Sequence, residues 1–326
     1  MKAVQLSRTG APDVLETVDM PTPVPGAGEV LVRVRAAGVN FFETLVRQGR
    51  YAEAPELPMV PGVEVAGVVE ALGDGVDPAL LGARVAVPLF AAGRGSGGYA
   101  AYVAVDSAYA FRIPDGLSFE DAVALLVQGL TALFLIRRSP PKGKTVLVTA
   151  AGGGVGTLLV QLARRAGATR VVAAAGSDEK LALARKLGAD LAVDYTQPDW
   201  PHRLTWLNES RGVDTVYETV GGTLTCAALE ALAPQGELVF GAVGRFDLDK
   251  PQLEAMLLRN QSLKGFALLP LLTPAELASG LSELFALAST GELTVVHGGR
   301  YPLDEAAQAH HALESRRTSG KVVLVP

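Results

Sequence analysis

The chain has 326 residues, of which 49% are hydrophobic and 19% charged, and it contains a single cysteine, Cys226. A chain this apolar can bury enough surface to offset the entropy lost on folding, so the composition excludes a disordered protein. One cysteine excludes a disulfide framework and a cysteine-rich zinc site. The length exceeds the roughly 250 to 300 residues at which one core stops growing, so we expect two domains. The net charge of −5 argues against a nucleic-acid or anionic-membrane partner.

The N-terminal residues have no long apolar segment behind a basic start, so they do not resemble a signal peptide. The most apolar stretch, residues 122–136, is shorter than the roughly 20 residues that span a bilayer, and Gln128 and Gly129 interrupt it. We therefore expect a buried helix there and a soluble, cytoplasmic protein without a membrane partner.

Short apolar runs separated by turn residues fill the first third of the chain. In residues 29–35 every second side chain is apolar, which is the period of a half-buried strand. Similar runs occupy residues 64–71, 83–87 and 99–105, and the glycine-rich residues 93–98 precede the last of them. This pattern predicts a compact β-domain.

From residue 145 onward, apolar strands alternate with helices. The predicted strands are residues 145–150, 170–175, 191–195, 213–220 and 236–243, and the predicted helices include residues 158–165 and 178–187. Continuous apolar strands between helices are typical of a parallel sheet that is covered on both faces. The alternation stops near Lys264, and the strand-like residues 321–326 suggest that the tail rejoins the N-terminal domain.

A glycine-rich turn lies between the strand at 145–150 and the following helix. Its residues Ala151, Gly153 and Gly156 occupy the three positions of the G-x-G-x-x-G dinucleotide fingerprint, with alanine in place of the first glycine. A strand, a glycine turn and a helix N-terminus together form the arrangement that holds a pyrophosphate. The alternative is a tight turn without a ligand.

The end of the second strand of this unit indicates which cofactor is bound. An NAD site places a carboxylate there, but this chain has Gly176 followed by Ser177 and, further on, Lys180. A hydroxyl and an ammonium fit a 2′-phosphate better, with Tyr195 as a further donor, and these residues favour NADPH. Alternatively, Ser177 only caps a helix, Lys180 is solvated and Tyr195 packs in the core.

The chain resembles the medium-chain dehydrogenase/reductase superfamily, and within it the zinc-free quinone oxidoreductase (zeta-crystallin-like) branch. The matching segments run along nearly the whole chain and are residues 36–51, 61–76, 97–105, 129–132, 150–156, 218–222 and 314–326. The resemblance implies an α/β fold with two domains. A GroES-like β-domain would cover residues 1–118, with 265–326 returning to it, and a doubly wound Rossmann domain with a parallel sheet would cover 119–264.

The zinc ligands of the alcohol dehydrogenase relatives are replaced here. Asn40 stands in place of a cysteine and Val63 in place of a histidine, and neither is a usual zinc ligand. Cys226 lies in the nucleotide domain, where we expect it to be a small buried apolar residue. Without a Lewis acid, a quinone or a conjugated enone is the expected hydride acceptor. The alternatives are a reductase of enoyl thioesters or alkenals and a non-enzymatic, crystallin-like protein that binds NADPH.

By resemblance, Asn40 and Tyr51 line the substrate pocket, with Arg47 nearby. Asn40 would donate its amide N–H to a substrate oxygen, and Tyr51 would donate a hydrogen bond or a proton. Alternatively, Asn40 is only a turn residue at a strand end and Tyr51 an aromatic anchor. Glu43 stands where relatives often have aspartate.

The resemblance also implies a set of cofactor contacts. Thr131 would contact the nicotinamide, unless its hydroxyl bonds to its own helix, and Lys321 would approach the cofactor, unless it is an exposed charge. The other expected contacts are Gly153, Gly154 and Val155 at the pyrophosphate, Val220 and Gly221, Phe240 and Gly241, and Leu268. Relatives of this kind are dimers or tetramers, so we expect a homodimer or a homotetramer.

Overall fold

The protein divides into two compact units. The computed structural model describes residues 1–51, 54–93, 95–209, 211–242 and 245–326, so Arg94 of the glycine-rich loop and Val243 of the predicted fifth strand lie outside the described residues. Unit 1 comprises Met1–Leu130 and Leu272–Pro326, and unit 2 comprises Thr131–Leu271. The sequence places the domain limits at 118/119 and 264/265. The first lies 12 residues before the structural division at 130/131, and the second lies 7 residues before that at 271/272.

Strands and helices are numbered along the chain. The strands are β1 Lys2–Leu6, β2 Leu15–Asp19, β3 Glu29–Val39, β4 Val65–Leu72, β5 Arg84–Val87, β6 Tyr102–Asp106, β7 Phe111–Arg112, β8 Thr145–Val148, β9 Arg170–Ala175, β10 Leu191–Asp194, β11 Val213–Glu218, β12 Leu232–Phe240, β13 Ser262–Gly265, β14 His297–Pro302 and β15 Lys321–Val325. The helices are α1 Phe41–Arg47, α2 Phe119–Ala124, α3 Leu130–Arg138, α4 Gly154–Arg165, α5 Asp178–Lys186, α6 Trp200–Leu207, α7 Thr223–Glu230, α8 Lys250–Leu258, α9 Pro274–Ser289 and α10 Ala306–Glu314.

Unit 1 is built around a largely antiparallel sheet, in which the described strands run in the order β14-β15-β3-β4-β5-β7, with β6 also paired to β3. In β3, Arg33 and Arg35 are exposed and alternate with buried valines, as the period of two predicted. The predicted strand at 99–105 begins only at Tyr102. The residues before Tyr102 bond to β1, since the N–H of Val4 donates to the carbonyl of Tyr99 and the N–H of Ala101 donates to that of Lys2.

The C-terminal tail joins the sheet of unit 1. β15 pairs antiparallel with β3, with Val322 opposite Val39 and Leu324 opposite Ala37, and β14 lies parallel to β15. Val322 and Leu324 are buried in the same core as the valines of β3 and β4. The prediction that the tail rejoins the N-terminal domain is confirmed.

Unit 2 contains a parallel sheet with the described strand order β10-β9-β8-β11-β12-β13. The five pairings between neighbouring strands are all parallel. The predicted Rossmann fold is therefore confirmed. The strand order reverses between β8 and β11, and ligands of open parallel sheets bind beyond the carboxyl ends of the strands at such a point.

The most apolar segment forms a helix with a π-helical turn at Leu125–Gly129. Phe119–Arg138 is long and apolar enough to cross a membrane by length and composition, and 72% of its most apolar window lies buried inside the protein. Burial of this kind is what a core helix shows, and the predicted buried helix at 122–136 is confirmed.

Candidate active site

The glycine turn of unit 2 has the geometry of a dinucleotide loop. β8 leads into Ala150, whose φ of 47° lies in the left-handed region, and Gly153 is the N-cap of α4. A Cβ at Gly156 would lie 2.2 Å from the carbonyl oxygen of Ala150. Only glycine therefore lets the first turn of α4 pack this closely on the end of β8, which is the role of the last glycine of the fingerprint.

The first turn of α4 offers backbone donors for an anion. The N–H of Gly153 already donates to the carbonyl of Ala150 at 2.8 Å. The next N–H groups, from Gly154 and Val155, belong to the helix N-terminus and have no acceptor within the helix. With the helix dipole they form a site for a phosphate group.

Four residues predicted to contact the cofactor meet at the ends of β9 and β10. Ser177 caps α5 by accepting a hydrogen bond from the N–H of Lys180, so its capping role is confirmed. The stem of Lys180 lies over the glycine turn, 2.8 Å from where a Cβ of Gly152 would stand. The ring of Tyr195 lies 3.1 Å from where a Cβ of Gly176 would stand. The Lys180 stem, the Ser177 hydroxyl and the Tyr195 ring thus lie around one corner of the sheet.

One acidic side chain lies beside this corner. Glu179 is exposed in the first turn of α5, and hydrogen bonds from its own backbone N–H and from the Ser177 hydroxyl lower its pKa. It therefore stays ionised, and its charge would repel a phosphate placed next to the Ser177 hydroxyl.

A carboxylate that the sequence analysis did not single out organises the loop after β11. Glu218 is fully buried and accepts hydrogen bonds from the N–H of Val220 at 2.6 Å and of Gly221 at 3.0 Å. The hydroxyl of Thr225 also donates to it, at 2.9 Å, and that of Thr149, just after β8, lies 3.4 Å away. Glu218 thereby fixes the predicted contacts Val220 and Gly221 where the strand order reverses.

The remaining predicted contacts of unit 2 lie at strand ends or in α3. Phe240 ends β12 and stacks on Phe246 with ring centroids 4.0 Å apart, and the N–H of Gly241 donates to the carbonyl of Glu218. Leu268 follows β13 and Thr131 lies in α3, and both are half-buried. Their contacts with a cofactor stay predictions.

Asn40 lies at the junction of β3 and α1 in unit 1, and it is the N-cap of α1. Its backbone N–H donates to Oε2 of Glu43 at 2.8 Å, which is the bond that the N3 side chain makes in a capping box, and its Nδ2 donates to the same oxygen at 3.2 Å. Its Nδ2 also donates to Oε1 of Glu64 at 2.8 Å, and its Oδ1 accepts from Nζ of Lys321 at 2.9 Å. Asn40 is 3% exposed, and every polar atom of its side chain is already engaged.

A buried ion pair holds Asn40 in this orientation. Lys321 and Glu64 are 1% and 0% exposed and form an ion pair, so Lys321 is not an exposed charge. The Glu64 carboxylate lies on Gly38, where a Cβ would come within 2.3 Å of Oε1. Its Oε2 accepts from the N–H of Val127 in the π-helical turn, at 2.7 Å. Lys321, predicted to approach the cofactor, thus supports the proposed substrate residue.

Arg47 and Tyr51 lie at and beyond the end of α1. Arg47 is 1% exposed, and its guanidinium forms an ion pair with Glu314 on α10. Tyr51 is half-buried, and its ring packs on Phe42 with centroids 5.4 Å apart. Burial raises the pKa of Tyr51, so its hydroxyl stays protonated and able to donate.

Comparison with known proteins identifies the family. Residues 26–115 match the alcohol dehydrogenase GroES-like domain, and residues 154–286 match the zinc-binding dehydrogenase domain. A quinone oxidoreductase of Pseudomonas aeruginosa is 36% identical over 100% of this chain and 99% of its own length. The chain belongs to the quinone oxidoreductase family of the medium-chain dehydrogenases/reductases.

Solved structures of this family have the same fold. The Escherichia coli quinone oxidoreductase complexed with NADPH is 30% identical, with a TM-score of 0.91 over 100% of both chains. The quinone oxidoreductase from Thermus thermophilus, solved alone and with NADPH, is 38% identical, with a TM-score of 0.84 and the same coverage. The resemblance drawn from the sequence motifs is therefore confirmed.

The positions where the zinc-containing relatives of this family carry ligands are apolar or amide here. In the part of the chain that the structure describes, no group of three or more His, Cys, Asp or Glu side chains could hold a metal ion.

Cys226 lies in α7 and is only half-buried, with its Sγ 3.5 Å from the carbonyl of Asp247. The expectation that it is a buried core residue is wrong, because its side of α7 faces this loop carbonyl rather than the core.

Proposed function

We propose that this chain is an NADPH-dependent reductase that transfers hydride, without a metal ion, to a quinone or an α,β-unsaturated carbonyl. The observation that carries the proposal is the corner formed by Lys180, Ser177 and Tyr195 beside the glycine turn. It places a lysine, a serine and a tyrosine where an NAD site would place a carboxylate, and the Lys180 ammonium and the Tyr195 hydroxyl are the groups that can bind a phosphate. NADPH complexes of two quinone oxidoreductases with this fold support the same cofactor.

The residues of unit 2 fit NADPH in three parts. The N-terminus of α4, with Gly154 and Val155, would hold the pyrophosphate, and Lys180 with Tyr195 would hold the 2′-phosphate. The loop that Glu218 fixes would support the nicotinamide side, where the strand order reverses. When bound, NADPH supplies the hydride.

The residues of unit 1 would orient the acceptor. Asn40 lies at the N-terminus of α1, and its Nδ2, which donates to Glu43 and Glu64, would turn one N–H from these carboxylates to the oxygen that gains negative charge as hydride arrives. Tyr51 stays protonated and can donate a second hydrogen bond. Asn40 and Val63 occupy positions where zinc-containing relatives have ligands, and an acceptor that is already polarised by conjugation needs no Lewis acid.

A homodimer would extend the sheet of unit 2. β13 is an edge strand of this sheet, and Leu253, Leu257 and Leu258 on the preceding helix α8 are exposed. An edge strand and a helix with exposed leucines are surfaces that a second copy can cover around a two-fold axis. We expect a dimer, or a tetramer built from such dimers, in the cytoplasm.

NADPH consumption tests this function directly. Purified protein is mixed with NADPH or NADH and a panel of quinones, enones and enoyl thioesters, with and without a chelator. We expect oxidation of NADPH in preference to NADH with a quinone or an enone, at a rate that the chelator leaves unchanged. Turnover of enoyl thioesters alone favours the thioester reductase. Tight NADPH binding without turnover of any acceptor favours a non-enzymatic protein, and failure to bind either cofactor refutes the proposal.

A further inference from the structure

A buried polar seam connects α1 and α10 in unit 1. On α1, Glu43 and Arg47 lie one turn apart, and on α10 His310 and Glu314 lie one turn apart, while the Tyr99 ring lies between the helices. The exposed fractions of Glu43, Arg47, Tyr99 and His310 are 4%, 1%, 0% and 0%. Burying these polar groups next to the proposed substrate residue costs free energy unless they are hydrogen-bonded or paired.

Hydrogen bonds run along the seam toward Glu43. The Tyr99 hydroxyl lies 3.1 Å from Nε2 of His310, and it donates over a long 3.5 Å to Oε2 of Glu43. With the Tyr99 proton directed to Glu43, His310 carries its own proton on Nε2 and donates to Tyr99. The chain therefore points from His310 through Tyr99 to Glu43.

The two oxygens of Glu43 have unequal surroundings. Oε2 accepts from the backbone N–H and from Nδ2 of Asn40, while Oε1 is buried and has no hydrogen-bond partner among the described residues. An ionised carboxylate has about four acceptor sites, so a buried oxygen without a donor solvates the charge poorly. The geometry therefore favours a neutral carboxyl over an ionised one.

Charges around Glu43 point the same way. Two buried carboxylates, Glu43 and Glu64, share one buried ammonium, Lys321, so the cluster carries one excess negative charge when both are ionised. The charged groups that act on Glu43 are Glu64 before β4 and Lys321 at the start of β15, and Tyr99 before β6 donates to it. Further along the seam, Arg47 on α1 pairs with Glu314 on α10, and the charge of Arg47 acts on Tyr99 and His310.

Of the three side chains in the hydrogen-bonded chain, Glu43 alone changes protonation near neutrality. Burial, followed by the charge of Glu64, raises the pKa of Glu43 to about 7 against the bonds from Asn40 and the charge of Lys321. Burial and then Arg47 lower the pKa of His310 to about 3, so His310 stays neutral. Burial and the two carboxylates raise the pKa of Tyr99, which stays protonated.

We propose that Glu43 is a positioning residue whose protonation makes the Asn40 amide available to the acceptor oxygen. This inference rests on the proposed reductase function. Ionised Glu43 holds Nδ2–H of Asn40 in a charge-assisted bond and repels the oxygen that gains negative charge. Neutral Glu43 weakens that bond and brings the Glu43–Glu64–Lys321 cluster to zero net charge. Acceptor reduction then depends on the protonated form.

The test compares pH profiles of kcat/KM for acceptor reduction from pH 6 to pH 9. The variants are Glu43→Gln, which keeps a capping-box residue and stays neutral, and Glu43→Asp, which keeps a titrating acid. The matched control is Glu70→Gln, an exposed glutamate of the same unit that pairs with Arg33 at the surface. Infrared difference spectra across the same pH range report a protonated buried carboxyl whether or not the enzyme turns over.

We expect wild type and Glu70→Gln to lose about tenfold or more of kcat/KM between pH 6 and pH 9. Glu43→Gln should keep a flat profile, and Glu43→Asp should regain a fall with pH. The protonated-carboxyl band should be present at pH 6, fade toward pH 9 and be missing from Glu43→Gln. A Glu43→Gln profile parallel to wild type, or a carboxyl band that persists in this variant, overturns the inference while the proposed function stands. Absence of turnover with every acceptor overturns both.

Discussion

Replacing Glu43 with glutamine should make the protein's stability less sensitive to pH. Glu43 is 4% exposed, and burial raises its pKa from 4.5 to about 7. When the folded-state pKa of an acid exceeds its unfolded-state value, the native state binds the proton more tightly. Stability is therefore lost as the pH rises from the lower pKa through the higher one, because the buried side chain must ionise.

The size of this loss follows from the two pKa values. At about 1.36 kcal/mol per pH unit, the difference between 4.5 and about 7 corresponds to roughly 3 kcal/mol, of which about 2 to 3 kcal/mol accrues between pH 5 and pH 8.5. Glutamine in the same capping box does not titrate. Between pH 5 and pH 8.5, the free energy of unfolding of Glu43→Gln should therefore fall by about 2 to 3 kcal/mol less than that of wild type.

Urea unfolding at pH 5 and at pH 8.5 measures the effect, with Glu70→Gln as the control for removing a glutamate charge. Glu70 is exposed and pairs with Arg33 on the surface of the same unit. Stability of Glu70→Gln should therefore depend on pH in the same way as that of wild type. If Glu43→Gln and wild type lose the same stability between the two pH values, ionisation of Glu43 does not destabilise the folded protein. The raised pKa of this carboxyl would then be wrong.

Three further substitutions test unit 2. Gly156→Ala places a Cβ 2.2 Å from the Ala150 carbonyl oxygen. Urea unfolding should show a free energy of unfolding that is lower by about 1 to 3 kcal/mol, and NADPH should bind more weakly. Unchanged values of both would mean that α4 can move away freely. Lys180→Ala should weaken NADPH binding about 10- to 100-fold in a fluorescence titration and spare NADH, whereas equal effects on both cofactors would exclude a 2′-phosphate contact. Glu218→Gln replaces a carboxylate oxygen with an NH2 group that cannot accept from the N–H groups of Val220 and Gly221. It should lower Tm and reduce the free energy of unfolding by about 1 to 3 kcal/mol. A wild-type Tm would contradict the role of this carboxylate.

The parts of the fold that the sequence predicted are those whose signals are local. The strand period at 29–35, the apolar strands of unit 2 and the glycine turn each follow from a few adjacent residues, and all are found in the structure. The cap role of Ser177 is equally local. Such features need no knowledge of which distant segments meet.

The polar contacts of unit 1 could not be predicted in this way. Lys321 and Asn40 are 281 residues apart and Asn40 and Glu64 are 24 apart, so only the folded sheet brings them together. The one local signal was a charged residue, Glu64, inside an apolar run. No local sequence pattern around His310 indicates that it lies against Tyr99. Glu218 lies in a recognised motif, but its hydrogen bonds to the following loop depend on the left-handed Gly221.

Isotope transfer tests the central claim of direct hydride transfer most directly. The protein is given NADPH deuterated at the reactive carbon of the nicotinamide, together with a conjugated enone, and the reduced product is analysed by mass spectrometry and NMR. We expect one deuterium on the β-carbon of the product, with the label unchanged by a chelator. A product that carries no label, or bound NADPH that is never oxidised in the presence of quinones and enones, would contradict the proposed reductase.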